Sequence, residues 1–423
     1  PWREGEPEWF RRELKKRFPE KYSNYDLGVV YSKTIALERL VTSELGFDGH
    51  PTNLKEPVRQ PAERKPLVSK IGGEVYAKGL TGRNIAVWQS HGRYYDQTAD
   101  KWQWQRPCMF QTCEDMFTQG FVLPYLVPML ENAGAYVLLP RERDTQTNEI
   151  IIDNDEGVDD TRYAEHNGSK KWSEGGKGFA HKRETYLSGQ NPFQDGTART
   201  IESIKSGNAS RAEWSAAIPE TGEYAVYVSY ESFGKESAED ATYTVHHSGG
   251  ESRFAVNQTM GGGMWVYLGH FLFNEGEEQV LISLENTSAE AGRKISADGV
   301  KIGGGYGNVA RIPSERFREE GVDYEAMTSD YPRFCEGARY WLQWSGFEKD
   351  VYTPKEDIDD YKDDYMSRAH WVNAVMGGSE RLPKEKGKRV PLDMALAFHS
   401  DAGVRLNDDI IGTLGIFYTK DNK

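Results

Sequence analysis

Residues 84–97, NIAVWQSHGRYYDQ, decide the predicted fold. The stretch begins as an apolar run typical of a buried β-strand and turns abruptly polar at His91. A mostly apolar helical stretch follows (109–134, MFQTCEDMFTQGFVLPYLVPMLENAG), and then a second strand (135–144, AYVLLPRERD). Strand, helix and strand in this order predict a βαβ unit and therefore a parallel sheet. Two prolines within the helical stretch predict that it is broken or kinked.

From about residue 150 to 305 the apolar residues recur at every second position. EYAVYVSYE (223–231) places alternate large side chains on one face, and TYTVHHSGGESRFAVNQ (242–258) predicts a hairpin around Gly249-Gly250. Short strands separated by glycine turns predict an antiparallel β-sandwich. Helical patterns return after about residue 310, and PLDMALAFHSDAG (391–403) predicts another buried strand that ends at a histidine.

The predicted fold class is therefore α/β, with a mostly parallel sheet flanked by helices and an inserted antiparallel β-sandwich. The predicted parts are an N-terminal appendage (1–80), the first part of the α/β domain (81–150), the sandwich (151–307) and the second part (308–423). Such an insertion is tolerated at a surface loop because the ends of a domain tend to lie close together.

Composition argues against nucleic acid as a partner and against a transmembrane segment. The formal net charge of −14 repels phosphate backbones, which argues against nucleic acid, and no apolar run approaches the roughly 20 residues of a membrane-spanning helix. Cys108, Cys113 and Cys335 form no CxxC motif and leave the redox compartment open. The chain opens on Pro1-Trp2 without a charged-then-apolar leader, so we expect a processed or trimmed product.

Two acidic runs stand out, DNDEGVDD (153–160) and DIDDYKDD (357–364). Neither has the glycine and glutamate spacing of a calcium-binding EF-hand loop. We therefore predict that both are solvated charged loops.

Two histidines stand at the carboxyl ends of predicted strands, His91 after AVWQS and His399 after MALAF. Ligands of parallel α/β sheets bind outside these strand ends, so both histidines are expected to face one crevice. Glu114 lies at the matching end of the helical stretch. Two imidazoles and a carboxylate form a ligand set for catalytic zinc, which keeps a further position for water. The structural alternatives are hydrogen-bonding histidines and a glutamate that interacts with the helix dipole.

Aromatic residues occur between the first two of these positions. Trp102 and Trp104, in KWQWQRP, are predicted to wall the crevice from a rim loop, with aromatic packing as the alternative.

The motifs, taken together, resemble the zinc-dependent N-acetylmuramoyl-L-alanine amidases of the amidase-3 type. The matching segments are NIAVWQSHG, Glu114, LVPMLENAGAYVLLPRERD, SRAHWVNAV and DMALAFHSDAG. The resemblance implies His91, Glu114 and His399 as zinc ligands. It also implies supporting roles for Arg143, Arg368 and Asn373.

The sequence departs from that family in two places. His-Ser-Asp-Ala replaces His-Ala-Asn at the third ligand, which puts Asp401 near the expected metal as a partner of a ligand or as a substrate contact. Family members also carry a catalytic glutamate on a later strand, and no Glu follows His399. The general base is therefore not found, and the chain is either a piece of a longer protein or weakened as a hydrolase.

The inserted segment resembles the golvesin C-terminal-like β-sandwich over about 160–305. The matching segments are RAEWSAAIPETGEYAVYVSY, ATYTVHHSGGESRFAVNQ, GGGMWVYLGHFLF and SADGVKI. That module accompanies secreted bacterial hydrolases, including proteins labelled xanthan lyase. The resemblance implies a secreted, periplasmic or cell-surface protein that associates with glycans.

Three functions follow from these patterns. The first is a zinc amidase-like hydrolase of peptidoglycan or a related glycopeptide, with Arg93, Tyr94 and Arg143 among the residues that bind substrate. The second is a polysaccharide lyase of the xanthan lyase kind, in which His91, Arg93, Tyr94 and Tyr95 abstract a proton beside a uronic acid. The third is a glycan-binding protein with a relic zinc site.

Overall fold

The computed structural model describes residues 6–32, 35–37, 65–73, 79–108, 112–155, 161–377 and 386–400. The chain divides into two compact units, Pro1–Arg64 and Lys65–Lys423. The first unit contains helix α1 (Glu6–Lys15), a 3₁₀ turn (Glu20–Tyr22) and the antiparallel strands β1 (Tyr31–Ser32) and β2 (Ile35–Ala36).

The second unit is rich in strands. They are β3 (Val68–Lys70), β4 (Asn84–Gln89), β5 (Arg93–Asp96), β6 (Lys101–Trp104), β7 (Tyr136–Leu138), β8 (Glu149–Ile152), β9 (Thr161–His166), β10 (Ser173–Gly178), β11 (Tyr186–Leu187), β12 (Gly196–Glu202), β13 (Arg211–Ile218), β14 (Gly222–Val228), β15 (Ala241–His247), β16 (Gly250–Val256), β17 (Val266–Phe273), β18 (Gly276–Glu285), β19 (Lys294–Ala297), β20 (Val300–Gly303), β21 (Val309–Ala310) and β22 (Met394–Phe398).

The helices are fewer and mostly short. They are α2 (Glu114–Phe117), α3 (Gln119–Phe121), a π-helical turn (Val122–Leu126), α4 (Val127–Asn132), α5 (Ala338–Trp344), α6 (Lys349–Tyr352), α7 (Asp360–Met376) and 3₁₀ turns at Pro192–Gln194, Gly234–Glu236, Glu315–Phe317 and Arg333–Cys335. None of the helices in the part of the chain that the structure describes is both long and apolar enough to cross a membrane.

Two antiparallel sheets dominate this unit, a six-stranded sheet in the order β3-β16-β15-β18-β13-β9 and a four-stranded sheet in the order β17-β14-β20-β8. Their side chains share one continuous apolar core, in which Trp214 and Tyr243 of the first sheet and Val226 and Ile302 of the second are fully buried. The predicted hairpin is confirmed, because β15 and β16 pair antiparallel with His247 opposite Gly250. Strand β3 belongs to the six-stranded sheet although its residues fall within the predicted appendage.

The predicted fold class is wrong. Among the described residues, strands account for 35% and helices for 21%, and the sheets are mostly antiparallel, so the protein resembles a β-sandwich rather than a parallel sheet flanked by helices. Within the described residues, the parallel sheet around β4 has three strands, in the order β22-β4-β7. The error has a physical reason: a strand-helix-strand pattern is local and does not determine how many strands join the sheet.

The local βαβ prediction is confirmed, since β4 and β7 pair in parallel. The helical part of the connection between them is a series of short pieces, as the two prolines predicted: Pro124 lies in a π-helical turn and Pro128 at the start of α4. A small second core joins this connection to the sheet, and its members include Val87, Val127 and Val137.

Strand β22 pairs in parallel with β4 but is not buried as predicted. Met394 is 53% exposed and Phe398 is 41% exposed. Within the described residues β22 has β4 as its only sheet neighbour, so its outer side is uncovered there.

The prediction of solvated acidic runs is also wrong for the buried members of both runs. In the second run, Asp360, Asp363 and Asp364 lie in α7 and are buried. Arg311 forms an ion pair with Asp360, Arg339 with Asp363 and Arg368 with Asp364. In the first run, Asp153 is only 5% exposed. A hydrophilic sequence therefore did not indicate solvent exposure at these positions.

Candidate metal centre

The candidate centre lies at the carboxyl end of β4. Ser90, which follows the strand, is fully buried and has a φ of 36°, a conformation that is uncommon for a residue with a Cβ. Its hydroxyl donates a hydrogen bond to Glu114 Oε1 at 2.7 Å and lies 3.3 Å from His399 Nδ1. This strained turn brings His91 to the same place, as expected where surrounding contacts fix an unfavourable backbone.

His91, Glu114 and His399 converge there. Each offers one ligand atom, and these atoms all lie within 4.8 Å of one another. Glu114 Oε1 lies 3.8 Å from His91 Nε2 and 3.5 Å from His399 Nδ1. Ligands bound tetrahedrally to zinc at about 2 Å lie roughly 3.4 Å apart, so this donor set fits such an ion with small adjustments.

Both histidines are held neutral. Burial, reinforced by the positive charge of Arg368, lowers the pKa of His91 to about 3. The pKa of His399 is lowered by the same two causes, and Glu114 opposes them. The neutral imidazole is the form that can donate a lone pair to a metal.

Arg368 and Asp364 lie behind His91. Arg368 Nη2 is 3.4 Å from His91 Nδ1 and forms a buried ion pair with Asp364. Because a guanidinium only donates, this contact puts the His91 proton on Nε2. If a metal bound to His91 Nε2, the ring proton would move to Nδ1. Nδ1 could then no longer accept a hydrogen bond from Arg368, and the ion pair of Arg368 with Asp364 would remain.

Arg106 also contacts the centre, through Glu114. Its Nε lies 3.3 Å from Glu114 Oε2, and its Nη1 donates to the Tyr361 hydroxyl at 2.7 Å. Tyr361 packs edge-on against Tyr94, with ring centroids 5.4 Å apart. The side chain of Arg106 is 34% exposed, so a cation faces solvent beside the candidate ligands.

Arg141 holds the backbone at the end of β4 through hydrogen bonds. Its buried guanidinium donates to the carbonyl oxygens of Gln89, His91 and Glu336, which fixes the path of the chain into the centre. The resemblance had implied Arg143 as the supporting arginine. Arg143 instead pairs with Glu131 at 2.6 Å and stacks on Tyr267.

The predicted aromatic wall is a packed β-hairpin. Trp102 and Trp104 lie on β6 rather than in a loop. The Trp102 indole donates to the Met327 carbonyl at 3.0 Å and packs 4.5 Å from Tyr340. The Trp104 ring lies 5.9 Å from that of Tyr331. These contacts correspond to the packing alternative.

Arg93 and Tyr95 also contact other side chains of the protein. The buried Arg93 guanidinium lies between the rings of Tyr331 and Trp104, at 3.8 and 5.0 Å. Tyr95 is fully buried and its hydroxyl donates to Asp100. Both side chains thus have partners within the protein. Asp401 lies outside the described residues.

Sequence reasoning missed four contributors to the centre: Ser90, Arg106, Arg141 and Asp364. Only Arg141 left a usable signal, because the Arg-x-x-Asp spacing of the family motif runs from Arg141 to Asp144. The others contact the centre through the tertiary structure.

Fold and site together define a β-sandwich protein with a small parallel sheet that carries a candidate metal centre. Residues 183–304 match the family model of the Golvesin C-terminal domain. This match supports the predicted golvesin-like sandwich, whereas no comparison supports an amidase-3 domain.

Similarity to solved structures is low. A xanthan lyase from Paenibacillus aligns with a TM-score of 0.26 and 22% identity over 36% of this chain, which corresponds to 13% of the lyase. A family 11 carbohydrate-binding module from Clostridium thermocellum, solved with a β-1,3-1,4-mixed-linked tetrasaccharide, aligns with a TM-score of 0.22 and 12% identity over 38% of this chain and 98% of the module. Scores this low do not establish a shared fold. No curated protein shows significant sequence similarity to the chain.

Proposed function

We propose that this is a secreted or cell-surface protein that acts on glycans, with a zinc-binding centre formed by His91, Glu114 and His399. The observation that carries the proposal is the convergence of three ligand atoms within 4.8 Å at a strand end. The match to the Golvesin C-terminal domain supports the glycan part of it.

As the finer proposal, a zinc ion at this centre would hydrolyse an amide in peptidoglycan or a related glycopeptide. Zinc bound there would supply a Lewis acid for the amide carbonyl and a water of lowered pKa. Ser90 would hold Glu114 in its ligating orientation through the 2.7 Å hydrogen bond. Arg106 would hold an acidic group of the substrate at the exposed side of the centre.

Metal analysis tests the centre. The purified chain should retain about one zinc after dialysis, and Glu114→Gln or His399→Ala should lose most of it. His166→Ala removes a histidine on β9 that pairs with Glu213 and serves as the matched control. Zinc that is absent from the wild type, and does not bind when supplied, would exclude the centre.

Activity tests the reaction. Purified muropeptides should release free peptide in the presence of wild type and not of Glu114→Gln. An unsaturated, ultraviolet-absorbing product from a uronic acid polysaccharide, formed equally well by Glu114→Gln, would instead support a lyase.

A second candidate is glycan binding without catalysis. Asp364 is fully buried and paired with Arg368, and Asp115 beside Glu114 is also fully buried, so neither is placed to serve a substrate as a base. For this candidate, calorimetry would detect binding of peptidoglycan fragments while no amide is cleaved, and binding would be the same in Glu114→Gln.

A further inference from the structure

Three tyrosines lie in a row near the candidate metal centre. Tyr94, on β5, packs edge-on against Tyr361, which lies near the start of α7. Tyr361 in turn packs edge-on against Tyr365, with 5.8 Å between the ring centroids. Tyr94 and Tyr361 are half-buried, whereas Tyr365 is 45% exposed. These three residues form a tyrosine row to which the proposed hydrolysis assigns no role.

Helix α7 directs the row towards the centre. Tyr361, Tyr365 and Arg368 follow one another at spacings of four and three residues, which places them on one stripe of the helix. At one end of the stripe, Arg368 Nη2 lies 3.4 Å from His91 Nδ1. At the other end, the Tyr361 hydroxyl accepts a hydrogen bond from Arg106 at 2.7 Å. Along the helix, the exposed ring of Tyr365 therefore lies between two residues that contact members of the centre.

Arg106 adds a positive charge to the row. Its Nε and Nη1 face Glu114 and Tyr361, and among the described residues its Nη2 forms no hydrogen bond. The side chain is 34% exposed, so a ligand can approach it from solvent. The guanidinium therefore offers both a donor and a charge to a carboxylate.

Two hydroxyl groups of the row also have a proton to donate. The Tyr361 hydroxyl accepts a hydrogen bond from Arg106, and the Tyr94 hydroxyl accepts one from Gln103 Nε2, each at 2.7 Å. A phenol that accepts a hydrogen bond still carries its own O–H proton. Both groups can therefore donate to the oxygens of a ligand.

Aromatic rings, O–H donors and a guanidinium together suit an acidic sugar. The C–H face of a pyranose ring packs on the negatively polarised face of an aromatic ring, and a carboxylate pairs with arginine. The neighbouring rings of the row are inclined by 69° and 72°, so they form no parallel slot for a flat nucleobase. The net charge of −14 also disfavours a ligand with many phosphates.

We propose that the tyrosine row and Arg106 bind an acidic sugar unit, a pyranose ring that carries a carboxylate, next to the candidate metal centre. The inference rests on the proposed glycan function and names the part of the glycan that is bound beside the centre. N-acetylmuramic acid and a uronic acid both have this chemistry. Zinc is not required for this binding, because neither the tyrosines nor Arg106 are candidate metal ligands.

Calorimetry with peptide-free oligosaccharides tests the proposal on the full chain, once as purified and once after zinc has been removed with a chelator. The probes are an oligosaccharide with N-acetylmuramic acid, one with glucuronic acid, and a neutral oligomer of N-acetylglucosamine. At least one acidic probe should bind about tenfold more tightly than the neutral probe, with or without zinc. The acidic probe that binds more tightly identifies the source of the sugar.

Variants assign the binding to the row. Tyr365→Ala should weaken binding of the better acidic probe roughly 3- to 10-fold because one exposed ring face is lost, whereas Tyr365→Phe should keep most of the affinity. Arg106→Gln should abolish the preference for the acidic probe. Tyr306→Ala removes a tyrosine of similar exposure (53%) outside the row and, as the matched control, should bind like the wild type.

Three results would overturn the proposal. They are an absence of binding by both acidic probes, equal affinity for the neutral probe, and wild-type affinity in Tyr365→Ala, which would place the glycan on another surface. A chain that binds no zinc but shows the expected sugar binding would exclude the metal centre alone, so the two proposals fail separately. If Arg106→Gln disturbs the fold, the variants of the exposed Tyr365 still decide the outcome.

Discussion

Single residues at the candidate centre are held by backbone contacts as much as by each other. Ser90 adopts a left-handed φ and binds Glu114, and Arg141 binds the carbonyl oxygens on both sides of Ser90. A turn that is strained and buried persists only where several such contacts fix it. The position of His91 therefore depends on residues that would not coordinate a metal.

Glu336 gives a residue-scale prediction of pH dependence. It is 1% exposed, and burial raises its pKa from 4.5 to about 7, with Ser329 and nearby arginines opposing the shift. Between these values the unfolded chain has released this proton and the folded protein has kept it. This group therefore makes the free energy of unfolding fall as pH rises from about 4.5 to 7.

Glu336→Gln puts a neutral amide in place of the protonated carboxyl. The variant should therefore not lose unfolding free energy from this position as the pH rises. Relative to the wild type, the variant should gain roughly 3 kcal/mol of unfolding free energy between pH 4.5 and 7.5, measured by urea denaturation at each pH. The exposed Glu277→Gln is the control and should follow the wild-type profile. A constant difference between Glu336→Gln and wild type at every pH would contradict the prediction.

At the scale of elements, the junction between α4 and β7 depends on a close approach. Gly134 ends the helical connection with a φ of +100°, and a Cβ there would stand 2.6 Å from Thr81 Oγ1 and 2.8 Å from the Thr81 backbone nitrogen. The left-handed conformation and the backbone contact both favour glycine. The junction sets how β7 enters the sheet beside β4.

Gly134→Ala should lower the free energy of unfolding by about 1–3 kcal/mol, because the alanine is strained and must displace backbone. Gly120→Ala in α3 is the matched control, since nothing lies within 4 Å of its Cβ position and its φ is not positive. The control should be neutral or stabilising by up to about 1 kcal/mol. Equal effects of the two changes in urea denaturation would show that the close approach is unimportant.

At the scale of the whole molecule, the two apolar cores consist of residues between Leu67 and Val390. The compact unit 1–64 contributes no residue to either core among those that the structure describes. Stability is therefore expected to reside in the second unit.

A chain of residues 65–423 should accordingly fold alone. Its thermal unfolding, followed by circular dichroism, should remain cooperative with a midpoint within about 5 °C of the full chain. A broad or absent transition in the shortened chain would show that residues 1–64 are needed for the fold.

Local patterns in the sequence predicted the elements better than their assembly. The strand at 84–89, the broken helical connection and the hairpin at Gly249-Gly250 follow from apolar periodicity, proline and glycine, and all three are confirmed. The mostly parallel fold class was wrong because the number of strands in a sheet depends on pairings distant in sequence. Asp360 and Asp363 of α7 were misjudged for the same reason, since their partner Arg339 lies some 20 residues away.

The sequence by itself determined that His91 and His399 follow the ends of strands and that Glu114 begins a helix, because these depend on neighbours in the chain. Only the tertiary structure decided that the three side chains meet, that Arg141 rather than Arg143 supports them, and that Trp102 packs instead of facing a crevice. The physical reason is that burial and hydrogen-bond partners depend on which residues the three-dimensional fold brings together, not on which residues are neighbours in the sequence. Ser90 and His399 are 309 positions apart in the sequence. They come within 3.3 Å of each other only because β4 and β22 pair in parallel.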